Sequence, residues 1–501
     1  MKRIFIALLL VLATCLTFIS CEERKPSPVK PSDGTEVGTN SGEDGTGGNG
    51  GQGNQETPPK KVMYDIPDVG YDGSEVTITF SHTMGAPLQA VLDRYIEKFN
   101  EIYPNITIEH TQIGGYDDVR DQIKTELTAG NQPNIAYCYP DHVALYNITK
   151  KVVPLDAFID STIKVNGTDE ILGMTAEQKA DFIKSYYDEG AVYDAAGTMY
   201  TLPMVKSTEV IYYNKTFFEE NNLKVPTTWE EMEVVCAKIK EIDPNCIPLG
   251  YDSEANWFIT MCEQYGSPYT TNKGGDKYIF INDTNKAFVK WFRTWYEKGY
   301  VTTQNLYGSY TSSLFIAQEG QRSYMSIGSS GGASHQAPVA VDGKQPFEVG
   351  IAPIPQINLE NPKAISQGPS LCIFDQENKQ EVVASWLFVK FLTTNTEFQA
   401  AFSMTSGYMP VIHSAAEVPA YAQWASEANG NSEKGVIALA TRVGLEMADS
   451  SFISPAFNGS STARDQVGVL MQYCFVTKAD NVDKMIDEAF KKAKQECILN
   501  N

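Results

Sequence analysis

The chain has 501 residues, 42% of them apolar and 20% charged, which is enough material for one large core or two lobes. Forty basic residues against 62 acidic ones leave a formal charge of −22, with no basic block anywhere. That balance excludes nucleic acid and anionic lipid surfaces as electrostatic partners, because both need clustered Lys and Arg.

The opening stretch, "MKRIFIALLLVLATCLTFISC", places Lys2 and Arg3 before an apolar run and a small Ser20 before Cys21. Residues 1–20 read as a signal peptide, too short and too one-sided for a permanent span. A Cys directly after the apolar segment resembles a bacterial lipoprotein signal. The resemblance implies that Cys21 is acylated, so that the protein is exported and lipid-anchored to the cell membrane, facing the periplasm or the cell exterior. A plain signal peptide cut nearby is the alternative, and it also exports the chain. From Glu22 to about Lys61 the sequence is rich in Gly, Ser, Asn and Pro and nearly free of apolar side chains. Such a segment buries too little to order itself, and residues 21–74 are expected to be a disordered linker, with the folded part beginning near Glu75.

In chain order, "EVTITFSH" alternates as a strand, "PLQAVLDRYIEKFNEIYP" carries apolar residues at helical spacing, and "NITIEHTQI" is a second strand. A helix "DDVRDQIKTELTAG" closed by Gly130 and a strand "NIAYCYP" complete a β-α-β-α-β run, which predicts an α/β lobe with a largely parallel sheet. A strand "EVIYYN", a helix "TWEEMEVVCAKIKEI", a strand "CIPLGY" and helices around 255–266 and 285–298 follow. Then come "RSYMSIG", "EVGIAPIPQ" and "SLCIFD" as extended segments, a long helix "KQEVVASWLFVKFLTT", and a mostly helical C-terminal third. Of nine Cys, seven remain once Cys15 and Cys21 are set aside. They show no CxxC, zinc spacing or disulfide framework and read as small buried hydrophobes, though Cys236 and Cys246 flank one turn and could pair.

Several stretches together resemble the extracellular solute-binding proteins of ABC importers: "FSHTMGAPLQAVLDRYIEKFNEIYPNITIEH", "LPMVKSTEVIYYNKTFFEENNLKVPTTWEEM", "FIAQEGQRSYMSIGSSGG", "VGIAPIPQ", "SQGPSLCIFDQENKQEVVASWLFVKFLTT" and "TSGYMPV". The closest likeness is to the glycerol-3-phosphate and sugar-binding class, through "SHTMG", "YYNK", "SSG" and "SGYMP". The resemblance implies a two-lobed, type II periplasmic-binding-protein-like α/β fold with a hinge and an interlobe cleft. On that pattern residues 75–205 and 354–398 form lobe 1, and residues 206–353 and 399–501 form lobe 2. It further implies a monomeric binder, without catalytic residues, cofactor or metal, that delivers a small solute to the transmembrane subunits of an ABC permease.

The resemblance also places ligand contacts. Tyr116 in "IGGYDD" and Tyr408 in "SGYMP" match cleft tyrosines, each with a flat face and a hydroxyl. Asp141 in "YCYPDH" follows a strand end, where it could accept from hydroxyls or serve as a helix N-cap. Ser207 matches a contact at the first hinge crossing, with Lys206 a nearby cation, and Gly368 in "SQGPS" a close backbone approach. Trp257 in "ANWFITM" could stack a ring or be plain core; Tyr269 in "GSPYT" is a weaker counterpart. The Gly/Ser stretch after "RSYMSI" places Ser329, Ser330 and Gly331 at the cleft.

Whether the ligand is an anion stays open at this level. Gly/Ser turns and helix starts hold phosphate, but an Arg is the usual bidentate partner. The Arg of the glycerol-phosphate class falls near Ala456 or Phe457 here, and Arg464 lies one to two helical turns on. Abundant Tyr and Trp suit a carbohydrate or polyol derivative, with glycerol 3-phosphate or a glycerophosphodiester as the alternative. An exported glycan-active hydrolase or a surface adhesin is a further alternative, although no HExxH or Walker-type loop is present.

Overall fold

Val76, Ile78 and Phe80 point inward from the strand Val76–His82 while Thr77 and Thr79 point out, the two-residue period of a strand. In this computed structural model, which describes residues 59–166 and 170–500, that strand pairs in parallel with Ile106–Gln112 and Ile135–Cys138. The helix Ala86–Ile102 between them buries Val91, Leu92, Tyr95 and Phe99 on one face and ends at Tyr103, before Pro104. The helix Tyr116–Ala129 stops at Gly130, whose φ of 78° is the left-handed cap that glycine adopts without strain.

Two five-stranded sheets result. The first runs Ile106–Gln112, Val76–His82, Ile135–Cys138, Ser370–Ile373, Leu202–Pro203, with Ser370–Ile373 antiparallel to both neighbours. The second runs Val301–Thr303, Leu249–Tyr251, Met325–Ser329, Glu209–Asn214, Val349–Pro353, with Glu209–Asn214 antiparallel to both neighbours. Each sheet has its own core. Phe80, Phe99, Trp386 and Phe388 lie in one, and Trp229, Trp257, Phe292 and Trp295 in the other. The fold is the two-lobed α/β arrangement that the sequence suggested.

Three segments link the lobes. Ser207 and Gln367 exchange backbone hydrogen bonds at 2.9 Å each, and Lys206 exchanges a pair with Met409 at 3.0 and 2.6 Å. Gly368 sits where they touch, at φ 90°, and a Cβ there would lie 2.8 Å from Lys206 Cα. Only glycine fits that crossing.

The packing departs from expectation in two places. The segment from Lys61 to Ser74, expected in the linker, is packed on the first lobe. Lys61 Nζ pairs with Asp156 at 2.6 Å, Tyr64 donates to Asp375 at 2.7 Å, and Tyr71 is buried in the first core. Tyr64, Ile66 and Tyr71, all packed on the first core, strap this segment to the lobe. The helix Thr396–Ser406, divided from the first lobe at residue 399 by the resemblance, packs Phe398 and Phe402 into the first core beside Tyr95. The chain stays on that lobe through Met409, Val411, Ile412 and Ala415. All seven described cysteines are buried free thiols, Cys236 and Cys246 included. Cys21 and the signal segment lie outside the described residues.

Candidate functional site

The C-terminal ends of strands from both sheets open onto one cavity of about 650 Å³ between the lobes, the place where open α/β sheets take their ligands. Thr83 follows the first strand, Gly114–Tyr116 the second and Tyr139 the third. From the other lobe come Asp252 and Ser253 after Leu249–Tyr251, Gln304 after Val301–Thr303, and the loop Ser329–Gly332. Ser207 and Gln367 form the floor at the hinge.

Tyrosines shape the interior. The Tyr116 ring stacks on Tyr139 with centroids 4.4 Å apart, and its hydroxyl meets that of Tyr408 at 3.2 Å. Burial raises all three phenols above their ordinary range, so they stay neutral. The Gly/Ser loop is held from behind. Tyr212 donates to the Ser329 carbonyl at 2.9 Å, and the Gly331 N–H donates to Ser329 Oγ at 3.2 Å. A Cβ on Gly331 would lie 2.7 Å from the Tyr408 ring, so glycine lets that tyrosine rest on the loop.

A polar chain runs beneath. Arg464 donates to Asn256 Oδ1, Asn256 Nδ2 donates to Glu209 Oε1 at 2.9 Å, and Tyr251 donates to Glu209 Oε2 at 2.6 Å. Burial pushes the Glu209 carboxyl up to about 7 against the pull of those donors and of Arg464. A smaller chamber of about 60 Å³ adjoins the cleft, sharing Tyr139 and Gln367 with it. Asp141, Tyr269, Gly368, Ser460 and Arg464 line this chamber.

Tyr116, Ser207, Ser329, Gly331 and Tyr408 therefore gather in the cleft, while Asp141, Gly368 and Arg464 line the adjoining chamber. Two residues fall elsewhere. Trp257 is 0% exposed, stacked on Tyr251 at 4.7 Å inside the second core, and offers no face to a ligand. Ser330 is fully buried, and its Oγ accepts from the Thr208 N–H at 3.3 Å, bracing the hinge. Asp141 is in the first turn of Pro140–Tyr146 without capping it, and its Oδ2 finds no partner among the described residues. Lys206 is no ligand cation either, since its Nζ is fully enclosed with Glu189 Oε1 at 2.5 Å and Ser370 Oγ at 3.2 Å.

Sequence reasoning passed over Tyr139, Glu209, Asp252, Asn256, Tyr310 and Gln336. The strand-end rule that singled out Asp141 applies equally to Tyr139 and to Asp252, which directly follows Tyr251. Glu209 carried no such signal, because a lone acid opening a strand looks solvated. Among the described residues no group of three His, Cys, Asp or Glu side chains is placed to hold a metal ion.

A family model described as bacterial extracellular solute-binding protein matches residues 94–428. The sn-glycerol-3-phosphate-binding periplasmic protein UgpB of Salmonella typhimurium is 25% identical over 356 residues, covering 68% of this chain and 76% of that protein. UgpB from Mycobacterium tuberculosis, solved in complex with glycerophosphocholine, superposes with a TM-score of 0.67 at 18% identity, covering 85% of this chain and 99% of its own. Maltose-bound MalE3 of T. maritima gives 0.65 at 16% identity, covering 85% of this chain and all of its own (100%).

Proposed function

The chain belongs to the bacterial extracellular solute-binding protein family, and on that premise we propose that it captures a carbohydrate or polyol derivative in the interlobe cleft and delivers it to an ABC permease. The carrying observation is the cavity of about 650 Å³ walled by both lobes. A solute touching both walls binds the shut form more tightly than the open one, and that difference drives closure about the three-segment hinge. Neutral tyrosines supply flat faces for C–H surfaces and hydroxyls for hydrogen bonds, as a sugar requires. The protein acts as a binder, leaving its ligand chemically unchanged. Export and a lipid on Cys21 would hold it at the membrane beside the permease.

Glycerol 3-phosphate or a glycerophosphodiester is the second reading. It is favoured by the relatives named for that ligand and by Arg464 beside Ser460 in the smaller chamber. A thermal-shift screen against sugars, polyols and glycerophosphates separates the two. A solute at 100 times its Kd adds roughly 2.7 kcal/mol of stability. If no member of any of the three groups shifts the transition, solute capture is wrong.

A further inference from the structure

Glu209 and Asp252 are among the side chains lining the cleft, and no Lys or Arg of the described residues is. Arg464 approaches only through Asn256, to which it is hydrogen-bonded, and Lys206 is closed on Glu189. Both oxygens of Glu209 are occupied by protein donors. Asp252 is different. Its Oδ1 accepts from the Thr311 N–H at 2.8 Å and the Thr311 hydroxyl at 2.7 Å, while Oδ2 has no donor among the described residues.

That free oxygen lies against Gly328, where a Cβ would sit 2.6 Å from it and 3.2 Å from Gln336 Nε2. Gln336 lines the cleft and is only 3% exposed, and its Oε1 has no partner among the described residues. Asp252 Oδ2 thus stands open beside the Gln336 amide nitrogen, on a carboxyl that burial and the neighbouring Glu254 charge both push up. Once closure shuts water out, an acceptor of this kind costs free energy until a donor fills it.

We propose that the captured solute carries an ammonium group, as an amino sugar or aminopolyol does, seated on Asp252 Oδ2 beside Gln336 and against the cleft tyrosines. This rests on the solute-capture reading. An ammonium brings three donors and a charge, where a hydroxyl brings one donor. It meets the carboxylate in a charge-assisted bond and is attracted to tyrosine faces. A phosphate would meet Asp252 with no Lys or Arg in the lining to offset the repulsion.

Titration calorimetry on the chain from Pro58 onward, one compact unit, tests this with matched pairs: glucosamine and glucose, galactosamine and galactose, mannosamine and mannose, with glycerol 3-phosphate alongside. At least one amine should bind about tenfold or more tightly than its neutral twin. Asp252→Asn should bring that ratio close to one. A neutral sugar or glycerol 3-phosphate binding as tightly as the amines would overturn the proposal and leave solute capture standing, as would a ratio unchanged in Asp252→Asn. Binding by none of the seven would overturn the proposal together with the solute-capture reading for these classes.

Discussion

Glu209 is a titrating residue of the cleft lining. Its carboxyl sits at about 7 in the fold against an ordinary 4.5. Below pH 4.5 both folded and unfolded chains hold the proton. Between about 4.5 and 7 only the folded chain does, so the stability from this group is lost as pH rises through that window, by roughly 3 kcal/mol in all. Glu209→Gln should therefore flatten the fall of melting temperature between about pH 5 and 7, and a slope equal to that of the natural chain would contradict the burial argument. Gly331 makes a steric claim at the same scale. Gly331→Ala should displace the Tyr408 ring and weaken solute binding by about tenfold, the usual effect of overpacking a tight contact. Calorimetry showing unaltered affinity would mean that Tyr408 does not need to rest on this loop.

The helices Tyr116–Ala129 and Ser460–Val476 meet between the lobes. Arg120 donates to Ser461 Oγ at 2.9 Å and lies 3.4 Å from Asp465, while Asp117 and Asp121 hold the same guanidinium from its own helix. Burial pushes Asp465 up to about 6, against the pull of Arg120. This contact favours the shut form and weakens as pH falls through about 6 and Asp465 takes up a proton. Arg120→Ala should raise the solute off-rate by a few-fold, in keeping with the ~0.2–1 kcal/mol of partly exposed pairs, and the increase should shrink below pH 6. Stopped-flow release at two pH values would show it, and an off-rate indifferent to Arg120 would remove the latch. At the hinge, Lys206→Ala leaves Glu189 buried and unpaired, a loss of about 3–5 kcal/mol. The double change Lys206→Met with Glu189→Gln should recover most of it. Equal losses in denaturant melts of the two variants would show that the pair does not brace the hinge.

At the scale of the whole molecule, the elements were legible in the sequence and the crossings were not. Alternation in "EVTITFSH" and helical spacing in "PLQAVLDRYIEKF" depend only on neighbours in the chain, so Val76–His82 and Ala86–Ile102 could be read directly. The return of Thr396–Ser406 to the first core depends on Tyr95, some 300 residues away, and no local pattern records it. The site divides the same way. Tyr116 and Tyr408 were visible through motifs, but their contact joins residues far apart in the chain. Trp257 misled because a helical tryptophan carries the same letters in a core as in a cleft, and only the Tyr251 and Trp229 rings on either side decide the matter.

The central claim is that a solute is held between two lobes that shut upon it. Small-angle scattering of the chain with and without the solute that gives the largest thermal shift tests this most directly, with mass spectrometry of the released solute. The account predicts a smaller radius of gyration in the bound state and a solute recovered intact. An unchanged radius at saturation, or a solute recovered cleaved, would contradict it.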